Sequence, residues 1–161
     1  MTVHPIAPVW DENSKILILG SFPSVKSRET RFFYGHPQNR FWRVLSAVTG
    51  DETPMTVDEK RCFLLKYGIA VWDVIASCDI TGSSDASIKN VTPNDLSIIL
   101  EGADVRAIFT NGKTAHNLYR KYIFHATCRE DICLPSTSPA NAVWNVERLV
   151  REWSSINNYL K

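Results

Sequence analysis

The segment Lys15-Ile-Leu-Ile-Leu-Gly20 constrains this chain more than any other. Side chains of a strand alternate between its two faces, so an unbroken aliphatic run this short, ending in glycine, leaves no polar face for water. It reads as a central strand buried on both sides of a parallel sheet. Ile69-Ala-Val-Trp-Asp73, Val105-Arg-Ala-Ile-Phe-Thr110 and the shorter Asp131-Ile-Cys-Leu134 read as three more strands. Between them, apolar residues recur at helical spacing from Arg40 through Val48, from Val57 to Tyr67 with Gly68 as the stop, near Asn94 to Leu100, from Gly112 to Phe124 and from Val143 to Tyr159. Strands alternating with helices, joined by right-handed crossovers, predict an α/β fold: a three-layer α/β/α sandwich on a four-stranded parallel sheet. With 161 residues, 44% of them hydrophobic, one domain over residues 1–161 is expected. Residues 21–38 have no apolar period and carry Pro23, Gly35 and Pro37, so they read as a long functional loop.

Open sheets of this kind bind ligands beyond the carboxyl ends of their strands. The loops that should meet there supply Ser21-Phe-Pro-Ser24, Gly35-His-Pro-Gln-Asn39, Asp73, Asn111-Gly112-Lys113 and Leu134-Pro-Ser-Thr-Ser-Pro-Ala-Asn141. None has the spacing of a metal site, a serine-hydrolase elbow, a P-loop or a dinucleotide fingerprint. The set suits phosphates and a planar ring and offers no strong nucleophile. Formal charge is only +1, but Lys26, Arg28, Arg31, Arg40 and Arg43 face a single acid, Glu29, between Gly20 and Arg43. A local excess of about four positive charges can steer a polyanion, although a solvated surface loop has the same composition. Cys62, Cys78, Cys128 and Cys133 lack the two-residue spacing of zinc or redox pairs and read as reduced, buried thiols. No leader or membrane-length apolar run is visible, so a soluble, cytoplasmic protein is expected, nucleoid-associated in a prokaryotic cell.

Three of these segments, Gly20-Ser-Phe-Pro-Ser24, Gly35-His-Pro-Gln-Asn-Arg-Phe-Trp42 and Leu134-Pro-Ser-Thr-Ser-Pro-Ala-Asn141, resemble in order the motifs of the uracil-DNA glycosylase superfamily. The resemblance runs from about Lys15 to the final helix and is nearest to the hypoxanthine-DNA glycosylase family. It implies a monofunctional enzyme that hydrolyses the N-glycosidic bond of a deaminated base flipped from DNA, acting as a monomer without cofactor, metal or iron-sulfur cluster. Two positions depart from uracil-specific relatives. Phe22 stands where many carry Asn or Asp, and Leu134 stands where they carry a catalytic histidine. What remains is Asn39, which the resemblance marks as the catalytic residue.

For the other residues the resemblance implies binding roles. Phe22 or Phe33 would stack on the base, and Asp73 or Asn111 would read its edge. Ser21, Ser24, Lys26 and Arg28 would hold flanking phosphates, while Ser136, Ser138, Ala140 and Asn141 belong to a loop that presses into the duplex gap. Each has a plainer alternative: Asn39 and Asn141 as helix caps, the last loop as a proline-rich turn, Asp73 as an outward loop residue, and His36, a possible proton donor, as a packed turn residue. Asparagine has no useful basicity, so the rate would come from electrostatic stabilisation of an oxocarbenium-like sugar and a departing base anion. A mismatch-specific uracil or thymine glycosylase, a non-catalytic lesion-binding module and a free-nucleotide-binding protein are the competing functions.

Overall fold

The computed structural model describes residues Met1–Lys161. After a two-residue strand, β1 (Thr2–Val3), the chain enters its main sheet at β2 (Ile16–Gly20), every residue of which is buried. Ile16 and Ile18 face one side and Leu17 and Leu19 the other, and each pair belongs to a separate hydrophobic cluster. That division is why the strand has no polar position. β2 pairs in parallel with β3 (Ile69–Asp73) and β6 (Ala107–Asn111), and β6 with β7 (Asp131–Leu134), giving the order β3-β2-β6-β7.

The Ile16 face is covered by α2 (Phe41–Thr49), α3 (Val57–Tyr67) and α7 (Val146–Trp153), which bury Phe41, Val44, Leu45, Phe63, Leu64, Leu149 and Trp153. The opposite face is covered by α4 (Ser97–Gly102) and α5 (Lys113–Tyr122) through Ile99 and Tyr119. The three-layer α/β/α sandwich expected from the strand and helix pattern is therefore present. Gly68 ends α3 at φ 72°, a left-handed conformation that turns the chain directly into β3.

Three local expectations are corrected. The segment 21–38 is not one irregular loop, because α1 (Val25–Thr30) forms within it, capped by Ser24, whose Oγ accepts from the Ser27 amide at 3.2 Å. The short helix lacks an apolar period and is held by its cap and by Ser27, whose hydroxyl accepts from the Gly35 amide. The segment between Asp73 and the helix expected near Asn94, to which the pattern assigns no element, contains β4 (Ile75–Asp79) and β5 (Lys89–Pro93), which form a second, antiparallel sheet in the order β1-β4-β5. β4 follows β3 after Val74 alone, so no glycine or proline in the sequence marks where one strand ends and the next begins. The last helix is shorter than 143–159, with a 3-10 turn, Ser154–Asn158, after α7, and α6 (Phe124–Thr127) is a separate turn after α5. Of the four free cysteines only Cys78 is buried; Cys62, Cys128 and Cys133 are exposed. No helix is long and apolar enough to cross a membrane.

The loop after β7 has almost no apolar anchor of its own and is held by Arg40, the residue preceding α2. Its backbone amide and Nε donate to the Thr137 carbonyl, Nη2 to the carbonyls of Ser138 (2.8 Å) and Asn141 (3.2 Å), and Nη1 to that of Trp144. A guanidinium is the only side chain whose donors fan out in a plane to reach several carbonyls at once. One of the five cations counted in the basic segment is thus consumed internally. Arg40→Ala should lower stability by about 3 kcal/mol, seen as a melting temperature roughly 6–12 °C lower, and Arg40→Lys should recover little of it.

Candidate active site

The carboxyl ends of β2, β3, β6 and β7 open onto one cavity of about 390 Å3. Ser21, Phe22, Ser24, Phe33, Asn39, Asp73, Asn111, Ser136, Ser138 and Ala140 all line it, as does His36. Lys26, Arg28 and Asn141 do not. Lys26 is exposed and 4.0 Å from Glu29; Arg28 gives Nη2 to the Gly82 carbonyl at 2.5 Å and lies over the Phe22 ring; Asn141 donates Nδ2 to the Ser136 carbonyl within its own loop.

The floor is built around Gly20. Its register partner is Asp73, and a Cβ at Gly20 would lie 2.4 Å from Asp73 Oδ1 and 3.0 Å from the Tyr34 hydroxyl. Only glycine lets both polar atoms approach the strand end. Asp73 is 4% exposed, and its Oδ2 accepts from His4 Nε2 at 2.8 Å. The Ile6 amide donates to His4 Nδ1, which fixes the proton of the neutral ring on Nε2 and so makes His4 the donor to the carboxylate. Oδ1 has no protein partner and is open to the cavity.

Tyr34 stands at φ 52°, a conformation rare for a bulky residue, with its ring stacked on Phe41 at 3.9 Å between centroids. Its hydroxyl is buried beside Asp73 and Asn111, close to the Asn111 amide but in full hydrogen-bond geometry with neither. Burial, and then the Asp73 charge, push the phenol far above its ordinary pKa, so it remains a proton donor. Neither His4 nor Tyr34 was singled out from the sequence. His4 sits in the N-terminal segment, where no strand or motif marks it, and Tyr34 merges with the aromatic run Phe32-Phe33-Tyr34.

One wall is a chain of amides centred on Thr137, which is fully buried. Thr137 Oγ1 donates to Asn39 Oδ1 at 2.8 Å and accepts from Asn111 Nδ2 at 3.0 Å, while its amide donates to Asn111 Oδ1 at 3.0 Å. Asn39 Oδ1 also accepts from the Phe41 amide at 2.9 Å. Since a backbone N–H can only donate, the orientation of the Asn39 amide is fixed: oxygen inward, Nδ2 without a protein partner and accessible. The capping and catalytic readings of Asn39 are therefore compatible, because its two ends do different work. Asn111 is likewise engaged at its oxygen and at one N–H by Thr137.

At the mouth, Ser21 Oγ donates to Asp85 Oδ1 at 3.3 Å. Asp85 opens a 3-10 turn, Asp85–Ser87, in the β4–β5 connection, to which the sequence pattern assigns no role. Ser83 Oγ accepts from the Val25 amide at 2.9 Å, and with the Arg28–Gly82 bond this pins the connection to α1, bringing Ser83 and Asp85 to the cavity. Leu134, where relatives were said to carry histidine, is 5% exposed and belongs to the core.

Thr137→Val removes one hydroxyl and leaves two asparagines each short of a partner. It should lower stability by about 1–2 kcal/mol in chemical denaturation. The side-chain amide resonances of Asn39 and Asn111 should broaden or shift together.

Comparisons with known proteins identify the family of the chain. The family model described as "Uracil DNA glycosylase superfamily" matches residues 7–161. A protein of Methanosarcina barkeri named hypoxanthine DNA glycosylase is 36% identical over 136 residues, covering 83% of this chain and 85% of its own. One of the same name from Methanosarcina acetivorans is 35% identical over 150 residues, covering 92% and 93%. A solution NMR structure of a Methanosarcina acetivorans protein, provisionally described as a uracil DNA glycosylase, superposes with a TM-score of 0.80 at 33% identity over 96% of both chains. The chain belongs to the uracil DNA glycosylase superfamily.

Proposed function

We propose that this protein is a monofunctional DNA glycosylase that flips a deaminated base, foremost hypoxanthine, out of DNA and hydrolyses its N-glycosidic bond. The observation that carries this is the pair of polar atoms on the cavity floor. Deamination turns the adenine edge, an N1 acceptor beside an amino donor, into the hypoxanthine edge, an N1–H donor beside the O6 acceptor. In a pose that sets Asp73 Oδ1 against N1–H and turns the Tyr34 hydroxyl toward O6, this acceptor and donor beside Gly20 complement hypoxanthine, whereas adenine in the same pose meets each with a like group. Phe22 and Phe33 line the same floor and supply apolar ring contact. The names of the two Methanosarcina relatives point to the same base.

A carboxylate beneath a base that leaves as an anion would oppose departure. His4 Nε2–H on Asp73 Oδ2 offsets part of that charge. Asn39 contributes through Nδ2, a donor suited to the negative charge that builds on the base as the bond breaks. Ser136 and Ser138 at the mouth present hydroxyls to the flanking phosphates, and Ser21 and Ser24, whose hydroxyls donate to Asp85 and to Ser27 Oγ, join them by turning those hydrogens outward. Val143, 77% exposed in the turn after Asn141, gives the last loop an apolar tip to fill the gap in the stack. No lysine lines the cavity, which fits hydrolysis to an abasic site without a Schiff base or strand cleavage.

Oligonucleotides carrying hypoxanthine, uracil, a thymine mismatch or xanthine test this under single turnover. Hypoxanthine should be released fastest, and Asn39→Ala should slow release by at least about 100-fold while binding persists. Tight binding by the wild type without release of any base would favour a lesion-binding module instead. Asp73→Asn and Tyr34→Phe should each erode the preference for hypoxanthine over adenine-containing DNA by about 10-fold or more, and unchanged selectivity in both would remove the edge-reading role.

A further inference from the structure

Hydrolysis of an N-glycosidic bond needs an acceptor for the proton of the attacking water, at the sugar rather than at the base. Asn39 Oδ1 is occupied by the Phe41 amide and Thr137 hydroxyl, and Asn111 Oδ1 by the Thr137 amide. Phe22 has no polar atom. Asp73 lies on the floor, 4% exposed, with Oδ2 held by His4, and a base inserted against it would separate it from the sugar. His36 Nδ1 accepts from the Gln38 amide, which leaves the neutral ring only a donor, Nε2–H. Asp85 differs from all of these. It is exposed at the mouth, where the Ser21 hydroxyl donates to Oδ1 and the Thr114 hydroxyl also approaches the carboxylate, whose remaining lone pairs face the cavity and solvent. A nucleotide that enters base first leaves C1′ at that mouth.

We propose, on the reading that the cavity receives a flipped deoxynucleotide, that Asp85 is the general base for the attacking water. The C1′–N9 bond breaks with its electron pair leaving on the base, and the water oxygen bonds to C1′. One water proton passes to the Asp85 carboxylate and from there to solvent, while the base anion takes a proton from solvent. The products are the deoxyribose hydroxyl and neutral hypoxanthine, with the carboxylate regenerated. Before the proton moves, the same charge stabilises the positive sugar. The carboxylate that the first motif lacks at Phe22 is thereby supplied from the β4–β5 connection, which Arg28 and Ser83 hold in place against α1.

The titratable groups lining the cavity are Tyr34, His36, Asp73 and Asp85. Protein crowding on its inner side pushes the Asp85 carboxyl above its ordinary range; the Ser21 and Thr114 hydroxyls oppose this and the Asp73 charge adds to it. The rate should therefore rise with pH as Asp85 ionises, along an acid limb displaced upward from an ordinary aspartate.

Single-turnover release of hypoxanthine, with affinity measured on an oligonucleotide bearing 2′-fluoro-deoxyinosine, tests the assignment. Asp85→Asn should slow release by about 100-fold or more, keep affinity within about threefold and abolish the acid limb. In Asp85→Ala, added formate should restore part of the rate, which a merely structural role would not allow. Release by Asp85→Asn within threefold of the wild type with the limb intact, or no formate rescue of a folded Asp85→Ala, overturns the proposal. Failure of the wild type to release any base overturns the proposed function itself, a result distinct from either.

Discussion

The site depends on the grip of two consecutive residues, Asn39 and Arg40, on the loop after β7. Arg40 collects carbonyls of Thr137, Ser138, Asn141 and Trp144, and Asn39 accepts the Thr137 hydroxyl. These bonds cross about a hundred residues of sequence and join the start of α2 to a segment rich in proline and serine that has little apolar surface to bury. A buried backbone carbonyl without a partner is costly, so satisfying several from one planar cation holds a single loop conformation. Thr137 then passes that order to Asn111 on β6. The polar groups of the cavity wall are largely spent on each other, and Asn39 Nδ2 is left without a protein partner.

The cavity divides its chemistry by depth. On the floor, Asp73 and Tyr34 crowd over Gly20, one as acceptor and the other as donor, with His4 behind the carboxylate. The mouth carries the hydroxyls of Ser21, Ser24, Ser136 and Ser138 together with the exposed Asp85. Two carboxylates in one cavity thus have different surroundings, one at the base of the cavity beside a histidine and one crowded but open to water. On the proposed function, their separation by depth lets one serve recognition and the other face the sugar.

Much of the frame was legible because periodicity is local. β3 and α3 have the limits that the apolar pattern drew, and the strand-end loops meet where a doubly covered parallel sheet requires. What escaped was short or polar. α1 has six residues and no apolar stripe, β4 follows β3 with no glycine or proline to mark the boundary, and β5 is largely exposed. Among side chains, Asn39, Asp73 and Asn111 were found because they stand in motifs or at strand ends. His4, Tyr34, Thr137 and Asp85 were missed because their significance lies in partners 69, 14, 98 and 64 residues away.

The sequence by itself determined the layered architecture and the set of strand-end residues that face the ligand, since an aliphatic run with no polar face can only be buried on both sides. It also carried the motifs by which the superfamily is identified. Tertiary structure alone decided what each polar group is free to do. Arg28 and Arg40 read as surface charge until the fold turned their guanidinium groups onto carbonyls, and Asn39 read as a cap or a catalyst until its oxygen was seen to be fully engaged. Composition counts donors and acceptors, but only the folded chain shows which of them remain unpaired, and those are the groups that meet the substrate.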